Sequence, residues 1–95
     1  MSTKIVEHIT PSQCRAGRAL LEITQTQLAK SAGLGLSTVV DFEKRRREVS
    51  PDAIQTISQT LIDAGIEFIE ENGGGPGVRL RKRQRPKKQN RQTRG

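Results

Sequence analysis

The sequence has few of the residues that build catalytic and metal sites. Among its 95 residues there is one cysteine, Cys14, and one histidine, His8. A single cysteine excludes a disulfide within the chain, and one histidine with one cysteine makes no recognisable zinc site. No pair of carboxylates is placed to frame a pocket for acid–base chemistry. We therefore predict that the protein is not an enzyme and holds no metal or cofactor.

Long hydrophobic runs and aromatic residues are also scarce. No stretch approaches the roughly 20 apolar residues that a membrane span requires, and the N-terminus lacks a signal-peptide pattern. We expect a cytoplasmic protein with no membrane partner. The aromatic residues are Phe42 and Phe68, so the core should be small and aliphatic. Because so short a chain buries a modest share of its surface, a homodimer is a plausible source of stability.

Acidic residues are missing from one end of the chain. The net charge is +7, yet residues 1–78 carry 8 Lys or Arg and 10 Asp or Glu, whereas residues 79–95 carry 9 Lys or Arg and no acid. Residues 82–95 have no aliphatic or aromatic side chain, so we predict a disordered basic tail there. This asymmetry indicates a polyanionic partner.

Residues 24–43 are predicted to form two short helices joined by a tight turn. Thr24 can cap the first helix, whose apolar residues recur at helical spacing. Gly33 follows where a helix ends in the left-handed conformation, which glycine adopts without strain. The second helix should span residues 36–43, with Val39 and Phe42 facing inward. Its free outer face gives the pair the shape that fits the major groove of DNA.

Two further helices and a β-hairpin are predicted around this pair. Thr10-Pro11 and Ser50-Pro51 each combine a capping residue with a proline at the first helical position. These helices should end near Leu21 and Gly65. The inner face of the first should be formed by Cys14, Gly17, Leu20 and Leu21.

Residues 66–81 change to the two-residue period of strands around a glycine-rich turn, which predicts the hairpin. Glu67 should face Arg79 or Arg81 across it. An isolated two-stranded hairpin is marginal in water, so it needs the helices of its own chain or a second subunit. The candidate dimer contacts are Ile66, Phe68 and Ile69.

The spacing of several residues resembles the Xre family of helix-turn-helix regulators, which includes lambda-type repressors and Cro. The resemblance covers residues 9–64 and is carried by Gln25, Leu28, Ala29, Gly33, Val39, Phe42 and Glu43. It implies a small regulator from a bacterium or mobile element. It also implies that Arg18 pairs with Glu43, that Gln25 touches a phosphate, and that C-terminal strands can pair two subunits. The chain departs from the family at Gly35 and Leu36, where polar or basic residues are usual, and at Arg45, where glycine is frequent.

The predicted fold is therefore mostly α. A four-helix, lambda-repressor-like helix-turn-helix domain spans residues 1–65, a β-hairpin that is a candidate dimerisation element spans 66–81, and the tail spans 82–95. Double-stranded DNA is the expected partner, with no small-molecule ligand. Base reading is assigned to Leu36, Ser37, Val40 and Asp41, and phosphate contact to Gln25, Lys44, Arg45, Arg46 and Arg47. A DNA-tracking arm is assigned to Arg81, Lys82, Arg83, Arg85, Lys87 and Lys88.

The chemistry of the outer face leaves two alternative contacts open for Asp41. Leu36 and Val40 can meet thymine methyl groups, and Ser37 can bond several base edges. Asp41 can accept from a cytosine amino group, or it can pair with Arg45 four residues on.

Three functions compete. The first is a sequence-specific transcriptional regulator, a homodimer that binds an inverted repeat. The second is a protein-interaction module on the same fold, resembling an antitoxin or antiactivator. The third is an RNA-binding protein that uses the basic tail.

Overall fold

The computed structural model describes residues 8–81, which form four helices followed by a two-stranded antiparallel sheet. The helices are α1 (Pro11–Leu21), α2 (Gln25–Ala32), α3 (Leu36–Lys44) and α4 (Pro51–Asp63), and the strands are β1 (Ile66–Ile69) and β2 (Gly77–Leu80). The predicted order of elements is confirmed. The basic tail lies outside the described residues. None of the helices in residues 8–81 is both long and apolar enough to cross a membrane.

Side-chain caps determine where three of these helices begin. The hydroxyls of Thr10, Thr24 and Ser50 each accept a hydrogen bond from the backbone N–H three residues later. In α1 and α2 a glutamine returns the bond: Gln13 Oε1 accepts from the Thr10 N–H at 2.9 Å, and Gln27 Oε1 from the Thr24 N–H at 2.8 Å. The predicted caps are confirmed, and the glutamines add a second bond to each.

Three helices end in a residue of left-handed conformation. Gly33 ends α2 with φ of 71°, as predicted. Glu22 ends α1 with φ of 59° and Arg45 ends α3 with φ of 56°. For residues with a β-carbon this conformation costs about 1–2 kcal/mol. The chain therefore turns sharply after α3 at a residue that is not glycine.

The core lies between the helices and the hairpin. A β-carbon added at Gly17 would lie 3.6 Å from side-chain carbons of both Leu61 and Ile66, so α1 packs closely on α4 and β1. Leu20 was predicted on the inner face but is exposed, because it lies about 100° around the helix from Leu21, which packs against the core. The buried apolar side chains are Ile9, Cys14, Leu28, Ala29, Val39, Phe42, Val49, Ile57, Leu61 and Ile66.

The hairpin packs on the helices of its own chain. Ile66 pairs with Leu80 and Glu67 with Arg79 in the antiparallel register. The Arg79 Nε lies 2.8 Å from Glu67 Oε1, which confirms the predicted cross-strand pair. Ile66, predicted as a dimer contact, is instead fully buried in the core, because its side chain packs against α1 beside Gly17. Its side chain is therefore unavailable to a second subunit.

Candidate nucleic-acid interface

Helix α3 turns one face to the core and leaves the opposite face open. Val39 and Phe42 are buried, whereas Leu36 and Ser37 are exposed. Ser37 and Asp41 lie one helical turn apart, on the side away from Val39. Val40 and Asp41 are half-buried at the edges of this surface. The outer face of α3 thus carries the four residues assigned to base reading: Leu36, Ser37, Val40 and Asp41.

The Glu43 carboxylate joins three helices from the inner side of α3, and it is 1% exposed. Arg18 of α1 donates to it twice, from Nε to Oε2 at 2.7 Å and from Nη2 to Oε1 at 2.8 Å. Gln25 Nε2 of α2 donates to Oε1 at 3.0 Å, and the Cys14 thiol donates to Oε2 at 3.1 Å. These four residues form the Glu43 cluster, which holds α3 against α1 and α2.

The electrostatics of the Glu43 cluster favour the ion pair. Burial raises the pKa of the Glu43 carboxyl, but hydrogen bonds from Arg18, Cys14 and Gln25, with the charge of Arg18, outweigh it, and the net pKa lies below the ordinary value. The hydrogen bond to Glu43 raises the pKa of Arg18. Burial, together with the hydrogen bond to Glu43, raises the pKa of Cys14 far above its ordinary value. Cys14 therefore stays a protonated donor at neutral pH, and its burial confirms its predicted place on the inner face of α1.

Gln25 stands at the first position of α2, directly after the Thr24 cap. Its amide carries a second N–H besides the one given to Glu43. The backbone N–H groups of the first turn of a helix also favour an anion. Gln25 can therefore contact Glu43 and a phosphate at the same time.

The basic segment Lys44–Arg47 leaves the end of α3 with all four side chains exposed. One of the two alternatives for Asp41 was a pair with Arg45, and Asp41 does not form that pair. Arg45 takes the left-handed conformation, the chain reverses, and the Arg47 Nε instead lies 2.7 Å from Asp41 Oδ2. Within residues 8–81, Lys44, Arg45 and Arg46 form no ion pair.

An open basic cleft lies beside the Glu43 cluster, lined by Arg15, Arg18, Gln25, Glu43, Lys44 and Arg45. Arg15 was absent from the predicted site. Its Nη1 donates to the backbone carbonyl of Glu43 at 2.6 Å and its Nη2 to Ser12 Oγ at 3.0 Å. Its position three residues before Arg18 places both on one side of α1, and that spacing is the sequence signal for it.

The hairpin carries the remaining predicted contacts. Phe68 and Ile69 are half-buried, whereas Leu80 is exposed. The Gln13 side-chain amide donates to the carbonyls of Ile69 at 3.2 Å and Gly77 at 2.9 Å, which ties the turn end of the hairpin to α1. In the predicted arm, Arg81 is exposed. The other arm residues, Lys82, Arg83, Arg85, Lys87 and Lys88, lie outside the described part of the chain.

Comparison with known proteins adds one finding to this geometry. A family model described as helix-turn-helix matches residues 15–62, about half of the chain. The matched span contains α2, α3 and the turn between them, together with the Arg18, Gln25 and Glu43 members of the Glu43 cluster. No curated protein matches the chain.

Proposed function

The chain belongs to the Xre/lambda-repressor-like helix-turn-helix family of DNA-binding regulators, and we propose that it reads the major groove of double-stranded DNA with α3. The observation that carries this proposal is the open outer face of α3, which runs directly into the basic segment Lys44–Arg47. A helix of nine residues fits the major groove, while cations at its end reach the flanking phosphates.

Base reading in this proposal is largely apolar. Leu36 is one of the large hydrophobic side chains that stay exposed in residues 8–81, and it stands at the first position of α3. Leu36 and Val40 would contact thymine methyl groups, and the Ser37 hydroxyl would bond a base edge. Such contacts discriminate less than bidentate hydrogen bonds, so phosphate contacts should supply much of the affinity.

Phosphate binding is assigned to Gln25, Lys44, Arg45 and Arg46, and beyond them to the basic tail. The open cleft beside Glu43 supports Lys44 and Arg45 in this role, because both line it. Each phosphate neutralised by a cation contributes about −0.9 to the slope of log K against log salt concentration. The affinity should therefore fall steeply with salt.

We further propose that the protein is a homodimer on an inverted repeat, joined through the hairpin. Support comes from two exposed leucines: Leu80 on β2 and Leu20, which lies one turn of α1 beyond Gly17. Gly17 lies against Ile66, and Ile66 pairs with Leu80 at the open end of the hairpin. Leu20 of α1 and Leu80 of β2 are therefore both placed near this end. Phe68 lies on the same face of the hairpin as Leu80 and would extend the contact, whereas Ile69 lies on the opposite face. A two-fold dimer requires half-sites about 34 Å apart.

Selection from a library of random duplexes tests the DNA-reading proposal. The full-length protein and a variant ending at residue 81 are each selected at two salt concentrations and the bound DNA is sequenced. An inverted repeat shared by both forms is the expected result, with weaker binding of the truncated form to every sequence. If no sequence is enriched and binding disappears with the tail, the proposal is wrong, and a protein-interaction module or an RNA-binding protein takes its place.

Sedimentation equilibrium tests the dimer. Leu80→Asp should shift the protein toward monomer, because it places a charge in the proposed contact. Leu36→Asp is the matched control, since it changes an exposed leucine on the DNA-reading face and should leave the dimer intact. Equal dimer content in the two variants would contradict a hairpin interface.

A further inference from the structure

The outer face of α3 carries an acidic residue at the place where DNA would lie. Asp41 is one turn after Ser37, and a bare carboxylate there would repel the phosphate backbone. Arg47 neutralises it: its Nε lies 2.7 Å from Asp41 Oδ2, and Asp41 keeps only 18% of its side-chain surface exposed. The surface offered to DNA at this point is therefore the arginine, which is 52% exposed.

The backbone after α3 brings Arg47 to this position. Arg45 takes the left-handed conformation, and the Arg46 N–H bonds back to the Asp41 carbonyl at 2.9 Å. The chain thus reverses within two residues, and the next side chain folds over the helix it has just left. Arg47 consequently lies on the outer face of α3, whereas Lys44, Arg45 and Arg46 form no ion pair within residues 8–81.

The geometry of the contact leaves the other side of the guanidinium available. Asp41 accepts from Nε, and Nη1 makes a long 3.4 Å contact with the carbonyl of Glu48. The terminal nitrogens keep further N–H groups that lie in one plane. Two parallel N–H donors match O6 and N7 of guanine in the major groove, and a carboxylate that holds the arginine reduces the freedom lost on binding.

We propose that Arg47 reads a guanine in each half-site and that Asp41 is its positioning residue. This inference rests on the proposed function, because it requires α3 to lie in the major groove. It replaces the assignment of Arg47 to phosphate and of Asp41 to direct base contact. It also supplies the bidentate hydrogen-bond readout that Leu36, Ser37 and Val40 lack.

Library selection with three full-length variants tests the inference. Arg47→Ala should abolish the preference for guanine at one base pair of each half-site, a loss of about 5-fold to 150-fold in discrimination, and leave the other positions unchanged. Arg46→Ala is the matched control, since it removes a neighbouring arginine that has no carboxylate partner. It should weaken binding to all sequences by one common factor and keep the recovered sequence.

Asp41→Asn separates positioning from a structural role. It removes a negative charge from the DNA-facing surface, so binding to random duplex should tighten. Discrimination at the guanine read by Arg47 should nevertheless fall, because the side chain is held less firmly. A variant that was merely less stable would not bind random duplex more tightly.

Two results would overturn the inference while the proposed function stands. In one, Arg47→Ala weakens binding to all sequences by the same factor, as Arg46→Ala does. Arg47 would then be a phosphate contact. In the other, Asp41→Asn loses the base preference at this base pair whereas Arg47→Ala keeps it. Asp41 would then read a cytosine directly. Failure of the wild-type protein to enrich any sequence would instead refute the proposed function, and the inference with it.

Discussion

Replacing Arg18 with alanine tests whether the Glu43 cluster holds α3 in place. The variant leaves a carboxylate that is 1% exposed without its charged partner, although Gln25 and Cys14 still donate to it. Removing one partner of a buried ion pair costs about 3–5 kcal/mol. Because the Arg18 side chain is 19% exposed, we expect the lower end, about 3 kcal/mol. For a domain of this size that lowers the melting temperature by about 12–24 °C.

Thermal unfolding followed by circular dichroism at pH 7 measures this loss. Arg15→Ala is the control, since it removes an exposed arginine that bonds only the backbone carbonyl of Glu43 and the Ser12 hydroxyl. It should cost about 1 kcal/mol. The double variant Arg18→Ala/Glu43→Gln should be more stable than Arg18→Ala, because glutamine fills the same space without stranding a charge.

The pH dependence distinguishes a stranded charge from lost packing. In the wild type the pKa of Glu43 is lowered, so its contribution to stability is fully present above the ordinary value of about 4.3 and is lost as the pH falls through the folded-state pKa. In Arg18→Ala the burial is no longer offset by the arginine and raises that pKa. The variant should then gain stability as the pH falls from 7 towards about 4.3. The difference in the free energy of unfolding between the variant and the wild type should become smaller.

Two observations would refute this account of the Glu43 cluster. Equal melting temperatures for Arg18→Ala and Arg15→Ala would show that the buried pair contributes no more than an exposed hydrogen bond. If the difference in stability between Arg18→Ala and the wild type does not change with pH, Arg18 acts through the packing of its aliphatic stem rather than through its charge.

The remaining predictions concern the backbone and the hairpin. Gly17→Ala should stabilise the protein by about 0.5–1 kcal/mol, because the new methyl group meets its neighbours at ordinary contact distance, whereas Gly33→Ala should destabilise it by about 1 kcal/mol; urea unfolding measures both. Arg45→Gly should raise the melting temperature by relieving the left-handed conformation while weakening DNA binding in a filter assay; Glu22→Gly relieves the same conformation in α1 and should leave binding unchanged. Gln13→Leu should speed hydrogen exchange of the strand amides relative to those of α4, because the turn end of the hairpin loses its tie to α1.

The helix boundaries were predictable because the signals for them are local. The Thr24 hydroxyl needs only the N–H of residue 27, and Gly33 needs only its own φ angle to end α2. The same holds for the alternation that predicted β1 and β2, since the register follows once the turn is located. These elements can therefore be predicted without knowing which distant residues they contact.

The burial of Ile66 depends on a distant part of the chain, whereas the exposure of Leu20 and the pairing of Asp41 are decided within α1 and at the end of α3. The alternation in β1 does not show which face of the strand is covered, and Ile66 is buried because it packs against α1 beside Gly17, 49 positions earlier in the numbering. For Asp41 the sequence leaves two alternatives open, a base contact or a pair with Arg45. The pair with Arg45 requires α3 to continue past that residue, and α3 ends at Lys44. Arg45 takes the left-handed conformation that glycine favours, and α3 ends at Lys44, one residue beyond the predicted span of residues 36–43.

Under the proposed function, the Glu43 cluster makes both stability and DNA reading depend on one carboxylate. Glu43 fixes the inner side of α3, and one of its donors, Gln25, stands where a phosphate would bind. A weaker complex in Arg18→Ala would therefore not identify Arg18 as a DNA contact, because the reading face moves when its inner support is lost. The salt dependence separates the two causes. Arg46→Ala, which removes a proposed phosphate contact, should make the salt slope shallower by about 0.9. Arg18→Ala, compared well below its melting temperature, should lower the affinity without changing the slope.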